Sequence, residues 1–365
     1  MNNYDEYLRQ GEPDKIEKSR IWKMAIGLQQ VDGLRPSDYL IKTANENIEG
    51  KITIDEVKRR IDSYYKTQTV SHSDRTEEAD KVAAKITEVL LEHTFSFSPL
   101  EYINIHKRLF EGIYPFAGKV RDYNISKQEW VLDGKSVMYA GAHLLREALE
   151  HDFKQEKEFD YKGLSAREKV EHIAKFISNI WQAHVFGEGN TRTTAVFAIK
   201  YLRTFGFAVN NEAFENHSYY FRNSLVRANY NDFKNNIVAN QEYLNKFFYN
   251  ILLGEQNELK SRYLHIYFNR PDAQYPSSSD ADGGVNVGES VGESVGEVSE
   301  RQKRILDIIA ANNSISAQQL SAILKTTART VEREIKKMRE KGILERIGGD
   351  RGGHWKINGK EDRNE

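Results

Sequence analysis

Nine consecutive residues, His184-Val185-Phe186-Gly187-Glu188-Gly189-Asn190-Thr191-Arg192, bring together a base, a carboxylate, two glycines and an arginine. His184 titrates near neutrality and can take a proton from a hydroxyl nucleophile. Glu188 offers hard oxygen, suited to Mg2+ that bridges nucleotide phosphates. Gly187 and Gly189 let the backbone curl so that successive N–H groups converge on an anion. Asn190 can cap a following helix or hold a phosphate oxygen. Arg192, one turn further on, can offset charge on leaving phosphates. Together these are the parts of a polyphosphate site with its own base and metal ligand. The plainer reading is a helix junction with a packed histidine and a capping asparagine.

The elements that must position these groups are legible on either side. Upstream, Val170 to Trp181 carries Ile173, Phe176, Ile177, Ile180 and Trp181 at helical spacing. Downstream, Thr191 to Tyr201 offers Val196, Phe197, Ile199 and Tyr201 for burial in a second helix. The nine residues thus form a helix–loop–helix junction that delivers its groups to a helix start. There, free N–H groups and the positive end of the dipole favour anions.

The segment resembles the Fic signature H-x-F-x-[DE]-G-N-G-R-x-x-R, with Thr191 in place of the second glycine of GNG and Ala195 in place of the final arginine. The likeness extends over roughly residues 90 to 255. Residues 97–121 (FSPLEYINIHKRLFEGIYPFAGKVR) resemble the helix and turn ahead of the active site. Residues 123–139 (YNISKQEWVLDGKSVMY) resemble the β-hairpin flap that clamps a protein target by strand addition. The resemblance implies an adenylyltransferase that moves AMP from ATP-Mg2+ onto a Ser, Thr or Tyr hydroxyl of a protein. His184 would be the general base and Glu188 the Mg2+ ligand. Gly187, Gly189, Asn190 and Thr191 would line the nucleotide's anion hole, Arg192 would meet the phosphates, and Phe186 would anchor the loop. With Ala195 the arginine that holds the γ-phosphate is missing, and Arg222, Arg227 and Asn223 in HSYYFRNSLVRANY are the candidate replacements. Their alternative is a solvated helix face with tyrosines turned inward.

The N-terminal helices carry a regulatory expectation. Residues 20–65 resemble the small antitoxin that accompanies some Fic toxins, which blocks ATP with a helix motif [ST]-x-x-x-E-[GN]. Leu28-Gln29-Gln30-Val31-Asp32-Gly33 has the spacing, with Leu and Asp at the two outer key positions. Asn45-Glu46-Asn47-Ile48-Glu49-Gly50 keeps Glu-Gly but begins with Asn. Asp32 is the preferred inhibitory residue and Glu49 the second. In both cases the arginine that the motif engages in the family stands here as Ala195. A capping glycine at a helix end explains either segment equally well.

Composition frames the rest. A chain of 365 residues has room for two or three domains, and its net charge of −1 provides no global field for nucleic acid or membrane. It contains no cysteine, which excludes disulfide scaffolds and thiolate-bound zinc. The first residues lack the apolar stretch of a signal peptide and no run is long enough to span a bilayer, so a cytoplasmic protein without membrane association is expected.

Four segments follow: a helical regulatory segment at 1–70, a catalytic core at 71–255, a helix end and linker at 256–298, and a small domain at 299–358. The linker is rich in Ser, Gly and Asp and contains a tandem G-E-S-V repeat that reads as low-complexity spacer. In the last segment three helical stretches precede two short strands, ILERI and HWKI, set among Gly348, Gly349, Gly352 and Gly353. This resembles a winged helix-turn-helix. Residues 301–360 hold 14 Lys and Arg against 6 Asp and Glu, a balance of +8. Thr327, Arg329, Thr330, Arg333 and Lys337 would face a DNA groove, with Arg351 on the wing. A winged helix used for protein contacts is the alternative. One such module binds weakly, so a homodimer would be needed at a specific operator.

The expected architecture is mostly α: a Fic helical core with a β-hairpin flap, plus a small α+β winged-helix domain. The leading function is protein adenylylation, self-modification included. Phosphoryl transfer or AMP removal on the same site, and a nucleotide-sensing DNA-binding regulator, remain open.

Overall fold

The computed structural model describes residues 15–67, 75–207, 212–268 and 290–293, and, towards the C-terminus, 300–313, 315–324, 326, 328–340, 343–347 and 354–357. The chain divides into two units, Met1–Glu293 and Ser294–Glu365. Each has its own apolar core.

In the first unit, α1 (Lys15–Gly27) tightens into a 3-10 turn (Leu28–Asp32) that Gly33 ends in the left-handed region, at φ 67°. Helices α2 (Asp38–Ile48) and α3 (Ile54–Thr67) complete the N-terminal layer. The Ser37 side chain caps α2 by accepting from the Leu40 N–H. Ile21, Trp22, Leu28, Val31, Leu40, Val57 and Ile61 lie in the same buried cluster as Val82, Phe186, Phe221 and Leu264. The N-terminal helices therefore share one core with the residues that follow.

The next helices are α4 (Thr76–Leu91), α5 (Pro99–Phe110), α6 (Leu145–Glu158), α7 (Ala166–Ala183), α8 (Asn190–Thr204), the short α9 (Glu212–Asn216), α10 (Ser218–Ala228) and α11 (Glu242–Leu253). Helix α7 begins with a capping box in which Ser165 and Glu168 satisfy each other's backbone N–H groups. Helix α8 is buried on every side from Asn190 to Leu202, as expected of a helix at the centre of a bundle. The Lys200 ammonium on α8 donates to the Val89 and Glu92 carbonyls and so caps the C-terminal end of α4.

Two sequence expectations are corrected here. Residues 123–139 hold one strand, β1 (Asn124–Lys127), rather than a hairpin. After Lys127 a 3-10 turn draws Val131 and Leu132 into the core, and Asp133 and Gly134 turn the chain at φ 56° and 77°. The return limb stays beside the first through the Glu129 N–H to the Lys135 carbonyl and the Lys127 N–H to the Ser136 hydroxyl, without a second strand. The partner of β1 is instead β2 (Ser290–Glu293), antiparallel, drawn from the segment expected to be spacer. Between these points Leu259 and Leu264 pack into the core, so the chain stays docked well past α11.

The second unit consists of α12 (Glu300–Ala311), α13 (Ala317–Ile323) and α14 (Ala328–Glu340), followed by β3 (Leu344–Ile347) and β4 (His354–Ile357), paired antiparallel. Ser316 and Gln319 form a capping box on α13. Ile305, Ile309, Leu320, Val331, Ile335, Met338 and Leu344 make the core. The Trp355 indole N–H donates to the Ile315 carbonyl and ties the β-pair to the helices. No helix among the described residues is long and apolar enough to cross a membrane.

Candidate functional site

The loop between α7 and α8 is held by its own side chains. His184 ends α7 in the left-handed region, at φ 50°, which turns the chain sharply out of the helix. Phe186 is fully buried and stacks on His106, with centroids 3.7 Å apart and planes 8° from parallel. The Asn190 carboxamide folds back on the loop, with Oδ1 accepting from the Phe186 N–H at 3.0 Å and Nδ2 donating to the Phe186 carbonyl at 2.7 Å. Asn190 is thus a latch across the loop, and its side chain is not presented to a phosphate. Gly189 at φ 78° is the residue before α8, and a Cβ there would lie 2.3 Å from the Phe110 ring. At Gly187 an added Cβ would meet the Tyr123 hydroxyl at 2.5 Å. The Thr191 hydroxyl accepts from the Trp181 indole N–H at 3.0 Å. Ala195 is fully buried in the core.

His184 is only 2% exposed, and its Nε2 has no hydrogen-bond partner. Burial, with the Lys127 charge next and Arg121 and Arg222 behind it, holds the imidazole pKa well below its usual 6.5. The ring is therefore neutral at pH 7. Tyr139 and Trp181 confine it, with ring centroids 4.2 and 5.3 Å away. Burial also drives His106 down to about 4. Its Nδ1 accepts from the Gly118 N–H, which leaves Nε2–H to donate to the Glu188 carbonyl.

Lys127 on β1 reaches the Glu188 carboxylate, Nζ to Oε2 at 3.1 Å, and is itself only 6% exposed at its side chain. Arg121 fixes the root of the same segment. Its guanidinium donates to the carbonyls of His184, Tyr123, Ala140 and Ala183. Strand and loop are thereby clamped to each other.

A second feature is a buried charge cluster on α8 and α10. Arg192 Nε lies 2.7 Å from Asp32 Oδ2, off the line of a good hydrogen bond, while its Nη1 and Nη2 donate to Gln29 Oε1 and Glu78 Oε1. Arg222 donates to the Val31 carbonyl, to Asp32 Oδ1 and to both oxygens of Glu129. Arg75 pairs with Glu78 from outside. Burial works to raise the Asp32 pKa, but Arg192 and Arg222, with Lys127 and Arg75, outweigh it and hold the carboxyl below its ordinary value. Three guanidiniums thus face three carboxylates. Among the described residues, the 3-10 turn at Leu28–Asp32 is the one element that supplies acceptors to both Arg192 and Arg222.

A Fic/DOC family model matches residues 96–202, from the start of α5 through most of α8, and a model described as winged helix-turn-helix DNA-binding matches residues 298–345. The chain carries a Fic domain and a C-terminal winged helix. Solved structures similar to it include the N-terminal Fic domain of a putative cell filamentation protein, a VirB-translocated Bep effector, from Bartonella quintana. It is 21% identical with a TM-score of 0.37, over 48% of this chain and 80% of that one. Another is BepC from Bartonella tribocorum with bound AMPPNP, 18% identical with a TM-score of 0.34, over 62% of this chain and 94% of that one. The Fic/DOC match covers under a third of the chain, and the winged-helix match lies outside it.

Within the Fic domain and the helices around it, the expected residues fall into three groups. His184, Gly187, Glu188, Gly189, Thr191 and Arg192 come together at the loop. Arg222 joins Arg192 through Asp32, whereas Arg227 and Asn223 are buried with polar atoms unpartnered. The alternative of a solvated face for α10 is overturned, because every residue from Ser218 to Ala228 is buried. Glu49 is corrected: its carboxylate meets Lys15 at 2.6 Å on the surface, with half of its side chain exposed, and reaches no arginine of the cluster. The concern that Asp32 lacks an arginine partner because of Ala195 is also corrected, since Arg192 and Arg222 supply two. The sequence reading missed Lys127, Arg121, Glu78 and Glu129, whose roles rest on contacts more than 60 positions away for each and carry no local signature.

In the winged helix, Arg333 is exposed on α14, with 55% of its side chain in solvent. Arg329, Thr330 and Lys337 lie on the same helix. Thr327 and Arg351 lie outside the described residues.

Proposed function

We propose that the Fic domain transfers AMP from ATP-Mg2+ to a protein hydroxyl, and that Asp32 restrains it. The observation that carries the reading is the buried, neutral His184 with a free Nε2, set beside Glu188 and the start of α8. An acceptor hydroxyl placed at Nε2 gives up its proton as its oxygen attacks the α-phosphorus, and pyrophosphate leaves. Neutrality at pH 7 keeps the base ready, and Tyr139 and Trp181 hold its ring in one orientation.

The residues present fit the nucleotide and its ion. Glu188 is one hard carboxylate with an ammonium, Lys127, already at its oxygen, and Mg2+ is commonly held by one or two carboxylates plus phosphates. The ion would neutralise phosphate charge. The N–H groups at the start of α8 receive phosphate oxygens, aided by the dipole. Arg192 and Arg222 are the cations for the outer phosphates. Arg222 thereby fills the role left open by Ala195.

Both guanidiniums are held by carboxylates in this structure. For polyphosphate to reach them, the 3-10 turn bearing Asp32 must yield. This supports autoinhibition by the N-terminal segment at Asp32, and the segment at Glu49 takes no part.

The test uses ATP labelled separately at the α and γ positions with Mg2+. Covalent label from the α position that requires His184 is expected. Label only from the γ position would replace the reading with phosphoryl transfer. A second role, DNA binding by the winged helix, is supported by the +8 balance of residues 301–360 and by Arg333 exposed on α14. An affinity for duplex DNA that falls steeply with salt is expected there.

A further inference from the structure

The strand that completes the β1 edge belongs to the chain's own repeat. Residues 287–298 read VGES-VGES-VGEV, and β2 is the stretch Ser290-Val291-Gly292-Glu293. Its register sets Asn124 opposite Glu293, Ile125 opposite Gly292, Ser126 opposite Val291 and Lys127 opposite Ser290. Lys127 is the strand residue whose ammonium contacts Glu188 in the catalytic loop. The register therefore brings a hydroxyl amino acid to the one position of β1 that is tied to the site. From Phe268, the last core-side residue described before it, 22 residues lead to Ser290. That length can span up to about 70 Å, so nothing in the chain's reach prevents docking in cis.

The repeat has a further consequence. Side chains alternate along a strand with period two, so a slip by one residue reverses every face while a slip by four preserves them. A four-residue repeat is thus able to dock in two equivalent registers. One places Ser290 opposite Lys127, and the other places Ser294 there with Val295, Gly296 and Glu297 following as Val291, Gly292 and Glu293 do now.

We infer that the V-G-E-S repeat is the resident occupant of the β1 edge and the in-cis acceptor of the Fic domain, with Ser290 and, after a four-residue slip, Ser294 as the modified residues. The inference rests on the transfer reading given above. In the step, the serine Oγ bonds to the α-phosphorus of ATP and the bond from that phosphorus to the β-bridging oxygen breaks. Pyrophosphate departs, the hydroxyl proton passes to His184 Nε2, and a serine–AMP phosphodiester remains. The chain thereby couples the state of its own linker to nucleotide chemistry, just ahead of the winged helix.

The experiment uses the full chain with Asp32→Ala, alone and with Ser290→Ala, Ser294→Ala or both, incubated with ATP and Mg2+ and mapped by tandem mass spectrometry. Adenylyl on Ser290 or Ser294 is expected, with each single variant shifting it to the other serine and the double variant losing it. The labelled fraction at a given time should hold constant over about 100-fold dilution, as expected of an intramolecular reaction. An otherwise intact His184→Ala chain mixed with active double-serine variant should stay unlabelled. Adenylyl on other residues, unaffected by the double variant, would overturn the acceptor assignment while leaving the transfer reading intact. Adenylyl on these serines that falls with dilution or appears on the His184→Ala chain would overturn the in-cis step. Absence of adenylyl on any chain would overturn the acceptor assignment, while the transfer reading is judged separately by α-label on a protein target.

Discussion

Replacing Asp32 with alanine should activate the Fic domain, and the size of the effect follows from the charge cluster. Arg75, Arg192 and Arg222 are balanced by Asp32, Glu78 and Glu129, so the wild-type cluster has no net charge to offer a polyphosphate. Without Asp32 the balance becomes +1, and Arg192 Nε and Arg222 Nη1 each lose a carboxylate, with Nη1 still donating to the Val31 carbonyl. A charge pair at this range is worth about 4 kcal/mol at an effective dielectric near 20. Desolvation of the buried groups offsets a large part of that. A net restraint of about 2 kcal/mol corresponds to a roughly 30-fold gain in nucleotide affinity and in the rate of α-label incorporation. Loss of one partner from a buried pair also costs stability, on the order of 3 kcal/mol. Calorimetric titration with ATP-Mg2+, paired with a thermal melt, separates the two effects. Asp32→Asn keeps the shape and removes the charge, so it should activate with a smaller loss of stability. Unchanged affinity and unchanged label in both folded variants would refute the restraint.

Other outcomes follow from the same geometry. Because burial holds His184 below 6.5, the folded state favours the neutral ring. Its contribution to stability is complete above 6.5 and declines as pH falls below it, where the unfolded chain takes up the proton first. Transfer by the Asp32→Ala chain should accordingly stay level between pH 8 and 6.5, and an acid limb centred on 6.5 in a rate profile would contradict the assigned environment. Phe186→Ala removes the ring stacked on His106 and should cost about 3–5 kcal/mol in denaturant unfolding. Gly189→Ala sets a methyl 2.3 Å from Phe110 at φ 78° and should abolish label even where circular dichroism remains native. In the winged helix, Arg333→Ala should lower the slope of log affinity against log salt for duplex DNA by about one, and an unchanged slope would remove Arg333 from the interface.

The loop and its flanking helices were legible because their signals are local. Helical periodicity at 170–181 and the glycines at 187 and 189 each act within a few residues. The winged helix was legible for the same reason. Asp32 emerged from the spacing of a short motif, although only the fold could supply Arg192 and Arg222 as its partners. Glu49 shows the limit of such spacing: an equally plausible segment ends with its carboxylate on a surface lysine. The hairpin was expected from resemblance alone, and only its first limb, Asn124–Lys127, forms a strand, while Val131 and Leu132 at its turn are buried in the core. The strand at Ser290–Glu293 could not be read at all, since a Gly-rich repeat has little strand propensity and gains its structure from the β1 edge.

The most direct test of the account is the intact mass of two full-length chains after incubation with ATP and Mg2+, one carrying Asp32→Ala and the other Asp32→Ala with His184→Ala. The account requires a covalent adenylyl gain on the first and none on the second. A phosphoryl gain, or the same adenylyl gain on both, would contradict it.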